Sequence, residues 1–236
     1  MYTYIYSASL QRKAYAQKIE AVETRLGVFG ISGEIRRLSH FFTLEGVVRD
    51  ILKRKNQTVV VVGEDRTLFE VINIFAGKPV CVGFIPLMES FYGKLLGIPS
   101  GEAACEVVAA RRIETLDIGR IDRHYFLESA VGDLPAQTVI RCGDFCLTSK
   151  RRSRVHFANI GFGSPTDGVF ETVVSSRPIF SKDWRIDALV SVPECFLEGG
   201  TVTLALDQLQ SVANASRVTL ESGSLQMIVG RGKRFD

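Results

Sequence analysis

The sequence has 236 residues, enough for one large or two modest domains, and 46% of them are hydrophobic, which suits a chain with a buried core. Its net charge of +3 is too small to indicate nucleic-acid binding, and the basic residues are interspersed with acidic ones, as on a solvated surface. Five irregularly spaced cysteines, after a start that lacks the features of a secretory leader, predict reduced thiols and a cytoplasmic protein.

The first 112 residues alternate between strand patterns and helix patterns. The predicted strands lie at 2–6, 34–38, 59–62 and 80–85. The predicted helices lie at 10–29, 43–55, 67–75, 90–96 and 101–110. Such alternation predicts a Rossmann-like parallel sheet with helices on both faces and right-handed crossovers.

The most informative stretch is the predicted strand that ends at Gly63. Four consecutive valines at 59–62 predict a strand that is buried on both faces. Thr67 and Glu70 have the spacing of a capping box, which predicts that a helix begins at Thr67. Ligands of open parallel sheets bind at the carboxyl ends of strands, often against a helix N-terminus. This turn is therefore the first candidate site, although an ordinary strand–helix turn with a good cap explains the pattern equally well.

After Arg112 the pattern changes to short strands that are divided by glycine, aspartate and proline turns. Ten strands are predicted between residues 113 and 229, and Cys142-Gly143-Asp144-Phe145 is typical of a hairpin turn. Many short strands with regular turns predict an antiparallel β-sandwich. We therefore predict an α/β domain of residues 1–112 followed by an all-β domain of residues 113–236.

Several motifs occur in the same order as in the diacylglycerol kinase catalytic-domain family, which includes bacterial lipid kinases and sphingosine kinases. The family's G-G-D-G-T and E-V-x-N correspond to Gly63-Glu64-Asp65-Arg66-Thr67 and Glu70-Val71-Ile72-Asn73. Its L-G-I-I-P-L and L-G-I-P resemble residues 82–87 and 96–99, and its closing P-G-A-L-R-V-L-V resembles residues 221–229. The resemblance covers nearly the whole chain. It implies a nucleotide-binding α/β domain, a β-sandwich domain, and phosphorylation of a lipid hydroxyl with ATP and Mg²⁺.

The resemblance also implies which residues form the site. The implied nucleotide-binding residues are Gly63, Asp65, Arg66, Thr67 and Glu70. Asp207 is the implied catalytic residue that helps to deprotonate the acceptor, because Asp207-Gln208-Leu209 is the counterpart of the family's Asp-Gly-Glu. ATP and Mg²⁺ are the implied cofactors, and the ligands of the metal stay unknown.

The sequence departs from the family at the motifs that bind phosphate and supply the catalytic base. Glu64 and Arg66 replace two glycines that let backbone amides approach phosphate, and residues 88–92 (Met-Glu-Ser-Phe-Tyr) replace the second phosphate loop, G-T-G-N-D. The loop at 6–10 lacks the glycine and proline of the family's N-P-x-S-G, and Leu209 replaces the glutamate of Asp-Gly-Glu. A guanidinium at Arg66 offers a bidentate phosphate donor in place of a backbone amide.

The matching motifs and the departures together lead to two main hypotheses. The first is an ATP-dependent kinase that acts on a lipid-like hydroxyl. The second is a catalytically silent relative that binds a nucleotide, a lipid or a protein partner. A third and more distant hypothesis is phosphoryl transfer to a soluble nucleotide. An open cleft between the turn at 63–67 and the loop at 88–92 would favour the first, and a cleft filled by Met88, Phe91 or Glu64 would exclude ATP.

Other features of the sequence favour no separate site. Cysteines and histidines are scattered singly, apart from Cys142 and Cys146 at the hairpin, so core or surface thiols are expected there rather than a zinc site. The basic run at 150–154 is typical of a solvated turn, and we predict peripheral membrane contact at most and no nucleic-acid partner. An exposed edge strand in the β domain would permit a homo-oligomer.

Overall fold

The structure is a computed structural model that describes residues 2–11, 13–39, 43–53, 57–149, 152–177 and 184–233. Contacts divide these residues into two compact units. The first unit comprises residues up to 115 together with 225–233, and the second comprises residues 116–224. The return of the C-terminal segment to the first unit has no signal in the sequence pattern. The end of the second predicted helix (54–55) and the first two residues of the basic run (150–151) lie outside the described residues.

A parallel sheet forms the centre of the first unit. Its strands are β1 (Tyr2–Tyr6), β2 (Glu34–Arg37), β3 (Thr58–Gly63) and β4 (Cys81–Pro86). They lie in the spatial order β2-β1-β3-β4, and Val60 of β3 lies opposite both Tyr4 and Gly83. Every residue of β3 and β4 is buried, which confirms the parallel sheet predicted from their uninterrupted apolar sequences.

Helices connect the strands of the first unit. They are α1 (Ala16–Val28), α2 (Leu44–Leu52), α3 (Asp65–Phe75), α4 (Phe91–Leu96) and α5 (Ala104–Ala110). The first helix begins later than predicted, because two short 3₁₀ turns at 8–11 and 13–15 precede it and no side chain caps its start. Among the residues that the structure describes, no helix is both long enough and apolar enough to cross a bilayer.

The second unit consists of antiparallel strands in two sheets. Its strands are β5 (Ile113–Ile121), β6 (His124–Phe126), β7 (Ser129–Leu134), β8 (Val139–Cys142), β9 (Phe145–Thr148), β10 (Ser153–Ala158), β11 (Phe170–Ser176), β12 (Arg185–Val192), β13 (Glu194–Glu198), β14 (Leu204–Leu206), β15 (Gln210–Val212) and β16 (Arg217–Ile228). The first three residues of β5 and the last four of β16 belong to the first unit. One sheet has the order β12-β11-β10-β7-β14-β15. In the other, β16 pairs with β13, followed by β8 and β9. The predicted combination of an α/β sheet and an antiparallel sandwich is confirmed.

The hairpin between β8 and β9 confirms the turn predicted from Cys142-Gly143-Asp144-Phe145. Cys142 lies opposite Phe145, and Gly143 has the positive φ of 58° that such a turn requires. In the described part of the basic run, Arg152 and Arg154 both pair with Asp133, at 2.8 and 3.4 Å. These exposed pairs agree with a solvated surface.

Candidate functional site

The turn after β3 is held against the loop that follows β1. The Ser7 amide donates to the Val62 carbonyl at 3.0 Å, and the Glu64 amide donates to the Ser7 hydroxyl at 3.4 Å. Gly63 has a φ of +147°, and a β-carbon added there would lie 2.0 Å from Ser7 Oγ. Glycine is therefore required at this position both by its backbone conformation and by the close approach of Ser7.

Gly63→Ala is expected to lower the free energy of unfolding by about 2–4 kcal/mol, because the added carbon collides with Ser7 and the backbone is strained. Urea denaturation followed by circular dichroism measures this change. Gly27→Ala is the matched control, since nothing lies within 4 Å of a β-carbon added at that helical position. The control is expected to be neutral or stabilising by up to about 1 kcal/mol. Equal losses at both positions would contradict the close packing of Gly63 against Ser7.

Helix α3 begins at Asp65 and not at Thr67. Glu64 precedes the helix in an extended conformation, and no side chain caps the helix start. Thr67 is buried inside the first turn, where its amide donates to the Glu64 carbonyl at 3.1 Å. Glu70 pairs with Arg66 instead of reaching back to the helix start. The predicted capping box is therefore wrong, because the helix starts two residues earlier and leaves Thr67 no amide to cap.

Asp65 joins the turn to the loop at 88–92. Its carboxylate accepts hydrogen bonds from the Ser90 hydroxyl at 2.5 Å and from the amides of Phe91 and Tyr92 at 2.9 and 3.2 Å. The Ser90 hydroxyl in turn accepts from the Gly93 amide at 2.7 Å and so caps α4. The amides at the start of α4, which would face the anion in a phosphate site, thus serve side chains of the protein itself.

Further contacts hold the same loop in place. Lys18 Nζ donates to the Leu87 carbonyl at 3.1 Å, and the Tyr15 hydroxyl lies 3.4 Å from Met88 Sδ. Met88 is half exposed, Glu64 is exposed and Phe91 is partly exposed, so none of these three side chains is buried in a cleft at this point. Asp65, a residue expected at the phosphates, hydrogen-bonds the loop directly.

The remaining predicted nucleotide-binding residues lie on different sides of α3. The Arg66 side chain is 72% exposed, and its Nε lies 3.3 Å from Glu70 Oε1, as in an ordinary i,i+4 surface pair. Thr67 is buried on the opposite side. The structure therefore brings Gly63 and Asp65 to the carboxyl edge of the sheet, whereas Arg66 and Glu70 neutralise each other at the surface.

This arrangement does not fit the triphosphate of ATP. Phosphate loops bind with free backbone amides and glycines that keep side chains away. Here Glu64 adds a negative charge, and the amides of Phe91 and Tyr92 are bonded to Asp65. Within the described ranges, no three His, Cys, Asp or Glu side chains are grouped so as to hold a metal ion.

Asp207, in the second unit, orders the turn between β6 and β7. The residue is 2% exposed, and its carboxylate accepts from the amides of Leu127, Glu128 and Ser129 at 2.7, 2.8 and 2.8 Å. Its own amide donates to the Ser129 carbonyl at 2.8 Å. These bonds give Asp207 a structural role, and its part in catalysis stays a prediction.

A second buried carboxylate organises the loop at 159–168. Asp117 accepts from the amides of Gly168 and Gly223 at 2.8 and 2.7 Å, and the Asn159 side chain donates to the Asp117 carbonyl at 2.9 Å. Sequence reasoning missed both polar residues. Their signal was present, since each lies within a predicted apolar strand, where a buried polar group needs a specific partner.

Two polar groups near this loop are buried without a full set of partners. Glu171 is 7% exposed, and burial raises the pKa of its carboxyl group. Burial lowers the pKa of the His156 imidazole, whose ring packs edge-on against Phe162 at 5.7 Å. Among the residues that the structure describes, Glu171 Oε2 and His156 Nε2 have no hydrogen-bond partner. Burial therefore favours the neutral form of both groups.

Solved structures of kinases share this two-domain fold. A diacylglycerol kinase from Bacillus anthracis matches with a TM-score of 0.77 at 14% identity, over 98% of this chain and 97% of that one. An NAD kinase from Archaeoglobus fulgidus in complex with ATP matches with a TM-score of 0.60 at 17% identity, over 100% and 96% of the two chains. Yeast NADH kinase complexed with NADH has a TM-score of 0.56 at 13% identity, over 98% and 83%. At such identities the similarity shows the fold alone.

The sequence itself matches the diacylglycerol kinase catalytic domain over residues 5–121. The chain belongs to the diacylglycerol kinase catalytic-domain family, and the family resemblance of its motifs is confirmed. A search of curated proteins finds no match. The matched residues include the turn at 63–67 and the loop at 88–92, where the chain departs from the family's glycine motifs.

Proposed function

We propose that this chain is a non-catalytic member of the family that binds a lipid-like molecule and no nucleotide. One observation carries the proposal. Asp65 occupies the position of an anion at the start of α4, where it bonds the amides of Phe91 and Tyr92 and the hydroxyl of Ser90. A phosphate would have to displace this carboxylate and repel both it and Glu64.

The other departures support the same conclusion. The charge of Arg66 is paired with Glu70 at the surface, so that the guanidinium does not face the turn. Both carboxylate oxygens of Asp207 accept hydrogen bonds from backbone amides, which leaves this residue poorly suited to take a proton from an acceptor. Phosphoryl transfer depends on positioning and charge stabilisation, and neither group supplies them here.

A cavity in the second unit supports the lipid-like ligand. Its volume of about 580 Å³ lies in the range of small-molecule sites. Its apolar lining comes from strands of both sheets and comprises Leu134, Ile140, Cys146, Leu147, Val174 and Ala188. Its polar lining comprises Thr148, Ser149, Ser153 and Asp187. This open pocket, lined by aliphatic and polar side chains together, suits an amphiphile with a hydrocarbon chain and a polar head.

Purified protein is expected to bind a fluorescent fatty acid saturably, and unlabelled fatty acid or monoacylglycerol should displace the probe. Ala188→Trp places an indole in the cavity and is expected to reduce affinity at least tenfold, about 1.4 kcal/mol. Leu189→Trp is the matched control, because the neighbouring Leu189 is 50% exposed and does not line the cavity. Absence of saturable binding, or equal affinity in both variants, would refute the lipid site.

A second candidate function is ATP-dependent phosphorylation of a lipid hydroxyl, favoured by family membership and by the presence of Asp65 and Thr67 at the turn. In that case ATP with Mg²⁺ binds at the turn, and Asp207 assists deprotonation of the acceptor. Release of ADP in the presence of diacylglycerol vesicles, lost in Asp207→Asn, would favour this function over the first. A cytoplasmic location, peripheral membrane contact and homo-oligomer formation stay predictions under either function.

A further inference from the structure

Two buried cysteines face each other across β8 and β13. Arg141 pairs with Phe196 and Ile140 with Leu197, so the antiparallel register places Cys142 opposite Cys195. Their Sγ atoms lie 2.8 Å apart, and both side chains are fully buried. The two residues are 53 positions apart in the sequence, and no local motif pairs them.

The strand register gives this pair a backbone spacing that is compatible with a disulfide. Directly opposed residues on antiparallel strands have Cα atoms about 4.5–5.5 Å apart. Disulfides span Cα separations of about 4.4–6.8 Å. A bond between the two sulfur atoms therefore needs small side-chain movements and no rearrangement of either strand.

We propose that Cys142 and Cys195 are a redox-active dithiol that hydrogen peroxide, or another small hydroperoxide, converts into a disulfide. The Cys142 thiolate attacks one peroxide oxygen, which breaks the O–O bond, forms a sulfenic acid and releases water after protonation. The Cys195 sulfur then displaces the hydroxyl of the sulfenic acid as a second water. Two thiols are oxidised and one peroxide is reduced to two waters, so that atoms and electrons balance.

The surroundings make Cys142 the nucleophile of this pair. Its hydrogen bond with Cys195 lowers the pKa of Cys142, whereas the same bond and burial raise the pKa of Cys195, which also lies 3.2 Å from Thr172 Oγ1. Cys81 and Cys105 belong to the first unit, where burial raises the pKa of each thiol to about 11. These two thiols are therefore poor nucleophiles.

Cys146 is exposed but does not face the pair. It lies opposite Arg141 in the β8–β9 hairpin, and successive residues of a strand point to opposite faces. Its side chain is therefore on the face away from Cys142. Cys146 is expected to react quickly with external thiol reagents, whereas the buried pair reacts only with small oxidants or during local opening.

The test uses the full chain, treated with excess hydrogen peroxide, quenched, unfolded and alkylated before intact-mass analysis and peptide mapping. We expect the thiols of Cys142 and Cys195 to disappear together, with a cross-linked peptide that joins these two residues. The melting temperature should rise by roughly 5–15 °C, because the bond closes a long loop, and thiol reductant should reverse the rise. The Cys146→Ser variant is expected to form the same Cys142–Cys195 cross-link as the wild type.

Three results would overturn the proposal. They are five alkylatable thiols after oxidation, a cross-link through Cys146, and conversion of Cys142 or Cys195 to higher oxides without a cross-link. Cys195→Ser should lose the cross-link while Cys142 still forms a trappable sulfenic acid. The wild-type measurement decides the question even if this variant fails to fold, and its outcome does not depend on nucleotide or lipid binding.

Discussion

Asp65→Ala is expected to lower the free energy of unfolding by about 2–4 kcal/mol. The substitution removes the carboxylate that accepts from Ser90, Phe91 and Tyr92, and leaves two amides at the start of α4 without their partner. The loop at 88–92 would then lose its direct link to the turn after β3. Urea denaturation of the full chain measures the change.

The neighbouring Arg66→Ala is the matched control for Asp65. Its exposed pair with Glu70 is worth at most about 0.5 kcal/mol, so its unfolding curve should nearly superimpose on that of the wild type. Asp65→Asn keeps one acceptor oxygen, so its free energy of unfolding should lie between those of Asp65→Ala and Arg66→Ala. If Asp65→Ala is as stable as the wild type, the Asp65 carboxylate does not hold the loop at 88–92 to the turn. That result would favour a ligand-binding role for Asp65.

Asp207→Ala is expected to cost about 3–5 kcal/mol, a larger loss than that expected for Asp65→Ala. The buried carboxylate satisfies three consecutive amides at 127–129, and each would lose its acceptor, two of them at buried residues. Alanine also tolerates the positive φ of 46° less well than aspartate does. Thermal and urea unfolding both measure the loss.

Gln208→Gly is the control that measures the effect of backbone strain in this turn without changing the Asp207 carboxylate. Gln208 is exposed and has a φ of 59°, so glycine should be neutral or stabilising by up to about 1 kcal/mol. Asp207→Asn keeps one acceptor and a side chain that accepts this backbone conformation, and should lose less than Asp207→Ala. If Asp207→Ala is as stable as the wild type, the three hydrogen bonds from backbone amides to Asp207 contribute little to the free energy of unfolding.

The first unit was predictable where the pattern is local. The apolar sequences of β3 and β4 predict buried parallel strands, and Ser90 and Gly97 bracket a short helix whose N-cap and left-handed end the structure contains. The start of α3 was misplaced, because Thr67 and Glu70 have capping-box spacing whether or not the helix begins there. The hydrogen bond from the Thr67 amide to the Glu64 carbonyl shows that the helix has already begun before Thr67.

The second unit was harder to predict, because its strands are short and its contacts are distant in sequence. The strands β13 and β15 were missed, and the two strands predicted at 217–220 and 224–229 form the single strand β16. The polar stretch before residue 224 suggested a break, yet Gly223 remains within the strand, and its amide donates to Asp117. Pairing with neighbouring strands overrode the local signal.

The candidate site shows the same limit. Motif matching identified Asp65 and Asp207 and assigned both to chemistry. Their partners lie about 25 and 80 residues away, and no local pattern connects them. A carboxylate that binds amides of its own protein and one that serves a substrate are indistinguishable in sequence. The difference lies only in what the carboxylate oxygens touch.

Our central claim is a closed turn: Asp65 bonds the amides at the start of α4 and so closes the turn at 63–67 to phosphate. Its most direct test is a ¹H–¹⁵N NMR titration of the full chain with Mg²⁺–ATP up to roughly 5 mM, a range that detects millimolar affinity. The amides of Glu64, Phe91 and Tyr92 report on the turn and on the start of α4. The closed turn predicts that their resonances stay unchanged throughout the titration. Saturable shifts at these three amides would show that ATP displaces Asp65, and would contradict the account of a family member that has lost its nucleotide site.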